Sequence, residues 1–418
     1  MLLSRLSAKI SQNNGIQSLM ADLSDALSEQ GSEISFLGGG NPAKIKEAED
    51  IFYQTLQKIV SNRDTVDTMF GDYSGPIGNE DILNKTAEYL GPKFGANLNA
   101  KNIGFFNGSQ NAFSFLLNAF SGRMSDGSFK KICLPIVPEY IGYADQTIDE
   151  DVFQSHLPLI ENISENRFKY KIDRNNIDLS NVGIITISRP TNPTGNVITL
   201  DELQFLYQKS KQTKIPLLVD LAYGNPFPNL IGNKKPITYS DGMILSLSFS
   251  KIGLPGVRFG IVVANEEVIS LLSSFGATNN LSSGNLGAQM AKIFWEDDTL
   301  VQLSNNILRP YYEEKLKDAL MILEEIFQNH KIRYSIHLPD GGFFLWIHFP
   351  DLKIQNRDLY ELCKEKQVYI VSGHYFFPGL TETFSHKEKC IRLTYCRAKQ
   401  EIARGAKIIA QLVSHNCA

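Results

Sequence analysis

The sequence predicts an α/β protein, with a mostly parallel sheet flanked by helices in a large domain and a smaller α+β domain beside it. Three observations carry this expectation. From about Asn102 to Ala264, short apolar runs alternate with longer helical patterns, which is how a parallel sheet covered by helices reads. After Asn305 the pattern changes to one long mixed helix and an alternating strand pair. At 418 residues the chain also exceeds the size at which single hydrophobic cores usually stop growing.

The runs that read as buried strands are KKICLP, VGIITIS, IPLLVD, MILSLSF and FGIVVA, each apolar throughout rather than alternating. Between two of them, LDELQFLYQKSKQ places Leu203, Leu206 and Tyr207 on one helical face. Further on, LRPYYEEKLKDALMILEEIFQNH reads as the long helix, and IRYSIH with FFLWIHF as the strand pair. The amino-terminal segment is too short to fold alone, so it is expected to join the carboxy-terminal region. The expected boundaries are 46–308 for the large domain, with 1–45 and 309–418 forming the small one.

Composition narrows the function. A formal net charge of -4 from 41 basic and 45 acidic residues, with no long single-sign block, offers no footprint for nucleic acid or a membrane surface. No apolar run approaches the ~20 residues needed to cross a bilayer. The opening MLLSRLSAKISQNN lacks the unbroken apolar region of a secretory signal. Five cysteines, an odd number without metal spacing, fit reduced thiols in a cytoplasm. Small-molecule chemistry is the class that survives.

Four predicted strands are followed at their carboxyl ends by unusual polar residues, where open α/β sheets place ligands. These are Tyr140 after KKICLPIVP, Asn192 after GIITISRPT, Asp220 with Tyr223 after PLLVD, and Ser248 with Lys251 after MILSL. Alone, Lys251 in SFSKIGLPGVRFG would read as an exposed loop lysine. Near apolar walls and other cations, a lysine loses proton affinity and becomes an amine nucleophile able to attack a carbonyl. Asp220 alone would read as a turn or capping residue. Beside such a lysine it has a sharper use, because pyridoxal 5'-phosphate (PLP) is an electron sink only while its ring nitrogen stays protonated, and a carboxylate holds that proton. Asn192 and Tyr223 could hydrogen-bond the phenolic oxygen of the same ring.

A phosphate needs backbone N–H donors and positive charge. FNGSQNAFSFLLNAF offers a Gly108-Ser109-Gln110 turn opening a helix, and Ser248 with Arg258 would complete the cradle. Arg392, in the strand-like CIRLTYCR, would need an anion if buried; a substrate α-carboxylate, gripped by two parallel hydrogen bonds, is that anion, with a structural salt bridge as the plain alternative.

Taken together these motifs resemble the class I, fold type I PLP-dependent aminotransferases, over nearly the whole chain. The resemblance implies a seven-stranded sheet in the large domain. It makes Lys251 the Schiff-base lysine, Asp220 the ring-nitrogen partner, Tyr223 and Asn192 the phenolic-oxygen contacts and Arg392 the carboxylate clamp. Gly108, Ser109, Gln110, Ser248 and Arg258 take the phosphate positions, and Tyr140 in PEYIGY the aromatic stacked on the cofactor ring. Gly39 and Gly40 in FLGGGNP match a backbone segment that approaches the substrate. Tyr73 in YSGPIG matches a tyrosine that reaches the phosphate of the neighbouring subunit, which implies a homodimer. Gln110 departs from the family, where a hydroxyl or small residue is usual, so its phosphate contact is expected through the backbone alone.

More narrowly, LGGGNPA, PEYIGYAD, SRPTNPTGNVIT, AYGNPFP and GHYFFPGL resemble a branch of the family that exchanges an amino group between valine and pyruvate, giving 3-methyl-2-oxobutanoate and alanine. Ile16, Phe36 and Tyr375 are the residues expected to surround an apolar substrate side chain. Two other readings compete. A PLP-dependent lyase or an enzyme of the aminocyclopropane carboxylate synthase type would use the same lysine and aspartate without a keto-acid acceptor. A ligand-sensing transcription regulator would need an added helix-turn-helix segment, for which the stretch before the first motif leaves no room.

Overall fold

The computed structural model describes residues 2–11, 34–232 and 235–417. In chain order the strands are β1 (Ser35–Phe36), β2 (Ile103–Phe106), β3 (Gly122–Arg123), β4 (Phe129–Leu134), β5 (Phe153–Ser155), β6 (Pro158–Ser164), β7 (Arg167–Ile172) and β8 (Val182–Ser188). They continue with β9 (Leu217–Asp220), β10 (Met243–Ser248), β11 (Gly260–Val263), β12 (Ser335–His337), β13 (Phe344–His348), β14 (Val368–Tyr369), β15 (Val371–Ser372) and β16 (Cys390–Thr394). The helices used below are α1 (Arg5–Ile10), α2 (Ser109–Phe120), α3 (Leu200–Thr213), α4 (Arg309–Asn329) and α5 (Lys399–His415).

The first large sheet runs β2-β11-β10-β9-β8-β4-β3, with β5 added beside β4. Strands β4, β8, β9 and β10 are mutually parallel, while β11 is antiparallel to both β10 and β2. Among the described residues eight strands are present where seven were expected, and β3 and β5 at that edge are only 2 and 3 residues long. Every residue of β9 and β10 is buried, which explains why these strands read as unbroken apolar runs: helices cover both faces. The helix α3 forms as its sequence predicts, with Leu203 and Leu206 buried. Thr199 and Glu202 form a reciprocal capping box at its start.

The second sheet runs β15-β16-β13-β12-β7-β6. The hairpin β6–β7 lies in sequence within the stretch expected to be large domain, yet β7 pairs in parallel with β12, Ile336 opposite Arg167. The chain therefore leaves the first sheet after β5 and returns to it at β8. The amino-terminal stretch divides. β1 pairs with β14 and the Thr394 N–H donates to Leu37 O at 2.7 Å, which ties it to the carboxy-terminal region. By contrast, α1 sits against the other part of the chain, with Lys9 Nζ donating to Thr147 O at 2.7 Å and Asp149 O at 3.1 Å. The helix α4 packs along α5. No helix among the described residues is long and apolar enough to cross a membrane.

Candidate active site

Strand β9 ends on Asp220 and β10 on Ser248, so the register of parallel neighbours decides what faces the crevice. Asp220 is paired with Ser188 of β8 and with Ser246 of β10. Its carboxylate is 5 % exposed and accepts from the Ala222 N–H at 2.9 Å and the Tyr143 hydroxyl at 3.0 Å. Burial pushes Asp220 up to about 6, and these two hydrogen bonds pull the other way. Past β10, tight turns at Ser250–Ile252 and Pro255–Val257 bring Lys251 and Arg258 back over the end of the sheet. Lys251 Nζ donates to Gly40 O at 3.0 Å and lies 5.5 Å from the Tyr223 ring and 5.7 Å from the Phe343 ring. Burial, and then the Arg392 charge, lower its amine to about 8. About a tenth is then the neutral, nucleophilic form at pH 7, far more than for an ordinary lysine.

The anion cradle forms at the start of α2. Gly108 caps the helix with φ +82, and a Cβ there would lie 2.4 Å from Arg258 Nη2, so only glycine lets the guanidinium approach. Arg258 Nη1 lies 3.4 Å from Ser250 Oγ, and the Ser250 N–H donates to Ser248 Oγ at 3.1 Å. The first backbone N–H groups of α2 lack partners within the helix and carry its positive dipole end. Ser109 Oγ donates to Leu247 O at 3.0 Å. Gln110 is turned away from an anion: its Nε2 donates to Gly142 O at 3.0 Å and its Oε1 accepts from the Tyr140 hydroxyl at 3.4 Å.

On the opposite wall, β16 carries Arg392 opposite Trp346 of β13. Its Nη1 donates to Asn192 Oδ1 at 2.9 Å and its Nη2 to Gly38 O at 2.6 Å. The guanidinium carbon stands 4.1 Å from the Phe344 ring centroid, and Nε is buried without a hydrogen-bond partner. Burial lowers Arg392 to about 10, which leaves it a cation at neutral pH. Among the described residues no carboxylate forms an ion pair with it, so the salt-bridge alternative has no support. A buried cation paired only with neutral acceptors is poised for an anion from outside.

Gly39, Gly40, Ser109, Gln110, Tyr140, Asn192, Asp220, Tyr223, Ser248, Lys251, Arg258 and Arg392 all border one cavity of about 350 Å³. Gly108 stands behind it as the cap of α2. Tyr73 is 83 % exposed and lies outside the lining. Of the residues expected around an apolar side chain, Phe36 borders the cavity, Tyr375 does not, and Ile16 lies outside the described residues. Tyr375 instead lies tilted against the His374 ring, centroids 3.9 Å apart, in the turn at Gly373–Phe376. Ser188, Ser250 and Phe113 also border the cavity and were not singled out. The serines carry a usable signal, since Ser188 ends the apolar run VGIITIS and Ser250 directly precedes Lys251.

One cavity thus holds a helix-end cradle with an arginine for a phosphate, a carboxylate for a protonated ring nitrogen, and an amine for a carbonyl. This donor set fits PLP, and Arg392 stands clear of it for a second, carboxylate-bearing molecule. Comparison with known proteins agrees. The model of the aminotransferase class I and II family matches residues 52–409. The chain is 39 % identical over 404 residues to the valine–pyruvate aminotransferase of Escherichia coli K12, covering 96 % of each. It is similar in structure to valine-pyruvate aminotransferase AvtA of Salmonella typhimurium LT2, at TM-score 0.87 and 37 % identity over 96 % of this chain and 99 % of that one. A Psychrobacter arcticum 273-4 protein assigned as an amino-acid aminotransferase superposes at TM-score 0.95 and 36 % identity, over 100 % of this chain and 99 % of that one.

Proposed function

The chain belongs to the class I and II aminotransferase family, and on that premise we propose that it moves the amino group of valine to pyruvate, giving 3-methyl-2-oxobutanoate and alanine. The observation that carries this reading is the convergence of Lys251, Asp220 and Arg392 on one cavity, in a chain alike over nearly its whole length to enzymes of that activity.

PLP is the cofactor, and when bound it supplies the electron sink that takes up the pair left by the breaking Cα–H bond. Lys251 Nζ is the amine that anchors it through its carbonyl. Once a substrate amine takes that place, Lys251 is free to remove the Cα proton and return it, and its lowered proton affinity suits both directions. Asp220 holds the proton on the ring nitrogen. Gly108, Ser109, Ser248 and Arg258 hold the phosphate, with Gln110 contributing its backbone, and Tyr140 stacks against the ring. Asn192 and Tyr223 contact the phenolic oxygen. Arg392 grips the substrate α-carboxylate with two donors, which fixes Cα against the ring, and Gly39 and Gly40 let the substrate lie close to the backbone. One site serves valine and pyruvate in turn, because both present the same carboxylate and a small apolar group.

The chain acts as a homodimer in which Tyr73 reaches the neighbouring cavity. The exposure of Tyr73 and Phe70, 83 % and 79 %, supports this. Five unpaired cysteines support a reducing cytoplasm. The deciding experiment mixes purified holoenzyme with valine and pyruvate and measures alanine, then repeats with other amino donors. No alanine from valine would overturn the substrate assignment, and keto-acid or ammonia release without pyruvate would favour a lyase. Borohydride reduction should fix the cofactor on the peptide that contains Lys251.

A further inference from the structure

Behind the carboxylate assigned to the ring nitrogen stands a second one, in the segment that leads from β4 to Tyr140. Glu139 is 1 % exposed, and among the described residues no cation lies within ion-pair distance of it. Its backbone N–H donates to Phe376 O at 2.9 Å, which fixes the residue against the second sheet's connecting turn. Both of its carboxyl oxygens lie at hydrogen-bond distance from Ser188 Oγ, and both accept from the Ser188 N–H, at 3.2 and 3.3 Å. Ser188 is the β8 residue in register with Asp220, and it borders the cavity. Glu139 thus reaches the cavity floor through one hydroxyl.

We propose that Glu139 is a positioning residue of this site, a neutral acid whose hydroxyl donates to Ser188 and which leaves Asp220 as the ionised carboxylate of the pair. The argument is electrostatic. Two carboxylates sharing a buried region cannot both ionise cheaply, and the one with a compensating cation keeps its charge. Asp220 is the one that faces Lys251 and, on the reading above, the protonated ring nitrogen. The titratable groups that face Glu139 are Asp220 from β9 and Tyr143 from the turn after β4, neither of them a cation. Burial, with Asp220 adding to it, pushes Glu139 up to about 8, so at neutral pH it carries its proton. With that proton donated to Ser188 Oγ, the serine's own hydrogen is released to point into the cavity. Above that range Glu139 ionises and adds negative charge behind Ser188 at the cavity floor, which would favour the protonated form of a bound cofactor.

The proposal rests on the assignment of Asp220 to PLP, and the experiment separates the two. Holoenzyme and its Glu139→Gln variant are titrated with alkali while the absorbance of bound cofactor is followed. Glutamine keeps the shape, donates to Ser188 Oγ and accepts from its N–H, but cannot ionise. The variant is expected to bind PLP and to titrate as the wild type does up to about pH 8, where both side chains are uncharged, and to hold less protonated cofactor than the wild type only above it. A difference between the two curves already at neutral pH overturns the proposal, since it would mean that Glu139 is charged there. Infrared spectra supply the second readout: the wild type should show a protonated-carboxyl band that persists to about pH 8 and that the variant lacks. Absence of that band at neutral pH overturns the proposal even if the variant does not fold. A wild type that takes up no PLP defeats the functional assignment instead, and the band alone then decides the state of Glu139.

Discussion

Two regions of this protein bury titratable groups, and they do so in opposite ways. Lys251, Asp220 and Arg392 border one cavity, Asp220 and Arg392 buried, with Arg392 Nε lacking a hydrogen-bond partner and, among the described residues, no carboxylate paired with Arg392. The second sheet buries a ring cluster, in which Tyr170 OH accepts from Trp346 Nε1 at 3.1 Å and lies 2.7 Å from His386 Nδ1, and His386 stacks on His348 at 3.8 Å. Here burial holds the rings neutral, with His348 lowered to about 4 and His337 and His386 to about 3. Tyr170 and His386 have partners inside the protein, and His337 Nδ1 and His348 Nε2, buried without a hydrogen-bond partner, belong to rings held neutral, whereas the first region keeps charge beside a cavity. Burial alone therefore does not mark a functional site; burial of charge beside a cavity does.

If that distinction holds, substitutions on the floor should change activity and those in the ring cluster should change stability. The largest expected effect is Lys251→Ala, which removes both the anchoring amine and the proton carrier and should slow alanine formation by on the order of 10⁴-fold with the melting temperature little changed. Next comes acid. Each of the three histidines has a folded pKa below its unfolded value of 6.5, so the unfolded chain binds more protons, and stability should fall as pH drops from 6.5 towards about 4. Urea unfolding at about pH 5 should show a loss of roughly 2 kcal/mol per ring relative to neutral pH, about 6 kcal/mol in all if the rings titrate independently. An unchanged midpoint would mean the rings titrate normally. Arg392→Gln should raise the apparent KM for valine by roughly 100-fold, the worth of a charge-assisted pair of hydrogen bonds, and unaltered saturation would place the carboxylate elsewhere. The smallest is His386→Ala, which leaves Tyr170 without one partner and opens a void. It should cost about 2 kcal/mol in chemical denaturation while kcat stays within about twofold of wild type.

Legibility in the sequence followed the same divide. Lys251, Asp220, Asn192 and Tyr140 were visible because each follows an apolar run, and a strand end at the crevice is a place that local pattern can mark. Glu139 was passed over although it is adjacent to Tyr140, because nothing local distinguishes a buried acid from an exposed one. The hairpin β6–β7 was assigned by its position in the chain to the large domain, and its pairing with β12 could not be read, because the partner strand lies more than 150 residues later. Tyr375 was expected at the cavity from its neighbourhood in GHYFFPGL, but which way a turn points its side chains depends on what the turn packs against. Tyr73 shows the limit from the other side: its sequence context marks it, yet within one chain it faces solvent.

By itself the sequence determined the alternation of strands and helices, the strand ends that bear chemistry and the Gly108 turn, since each is set by local pattern and by backbone conformations few residues adopt. Tertiary structure alone decided that Asp220 is flanked by Ser188, that Arg392 meets Asn192 and Gly38 from distant parts of the chain, and that Gln110 turns away to Tyr140. Those contacts depend on sheet register and domain packing, which set the local dielectric and hence the charge each group carries. Lys251 is a lysine in either description; its surroundings of Tyr223, Phe343 and Arg392 are what lower its proton affinity.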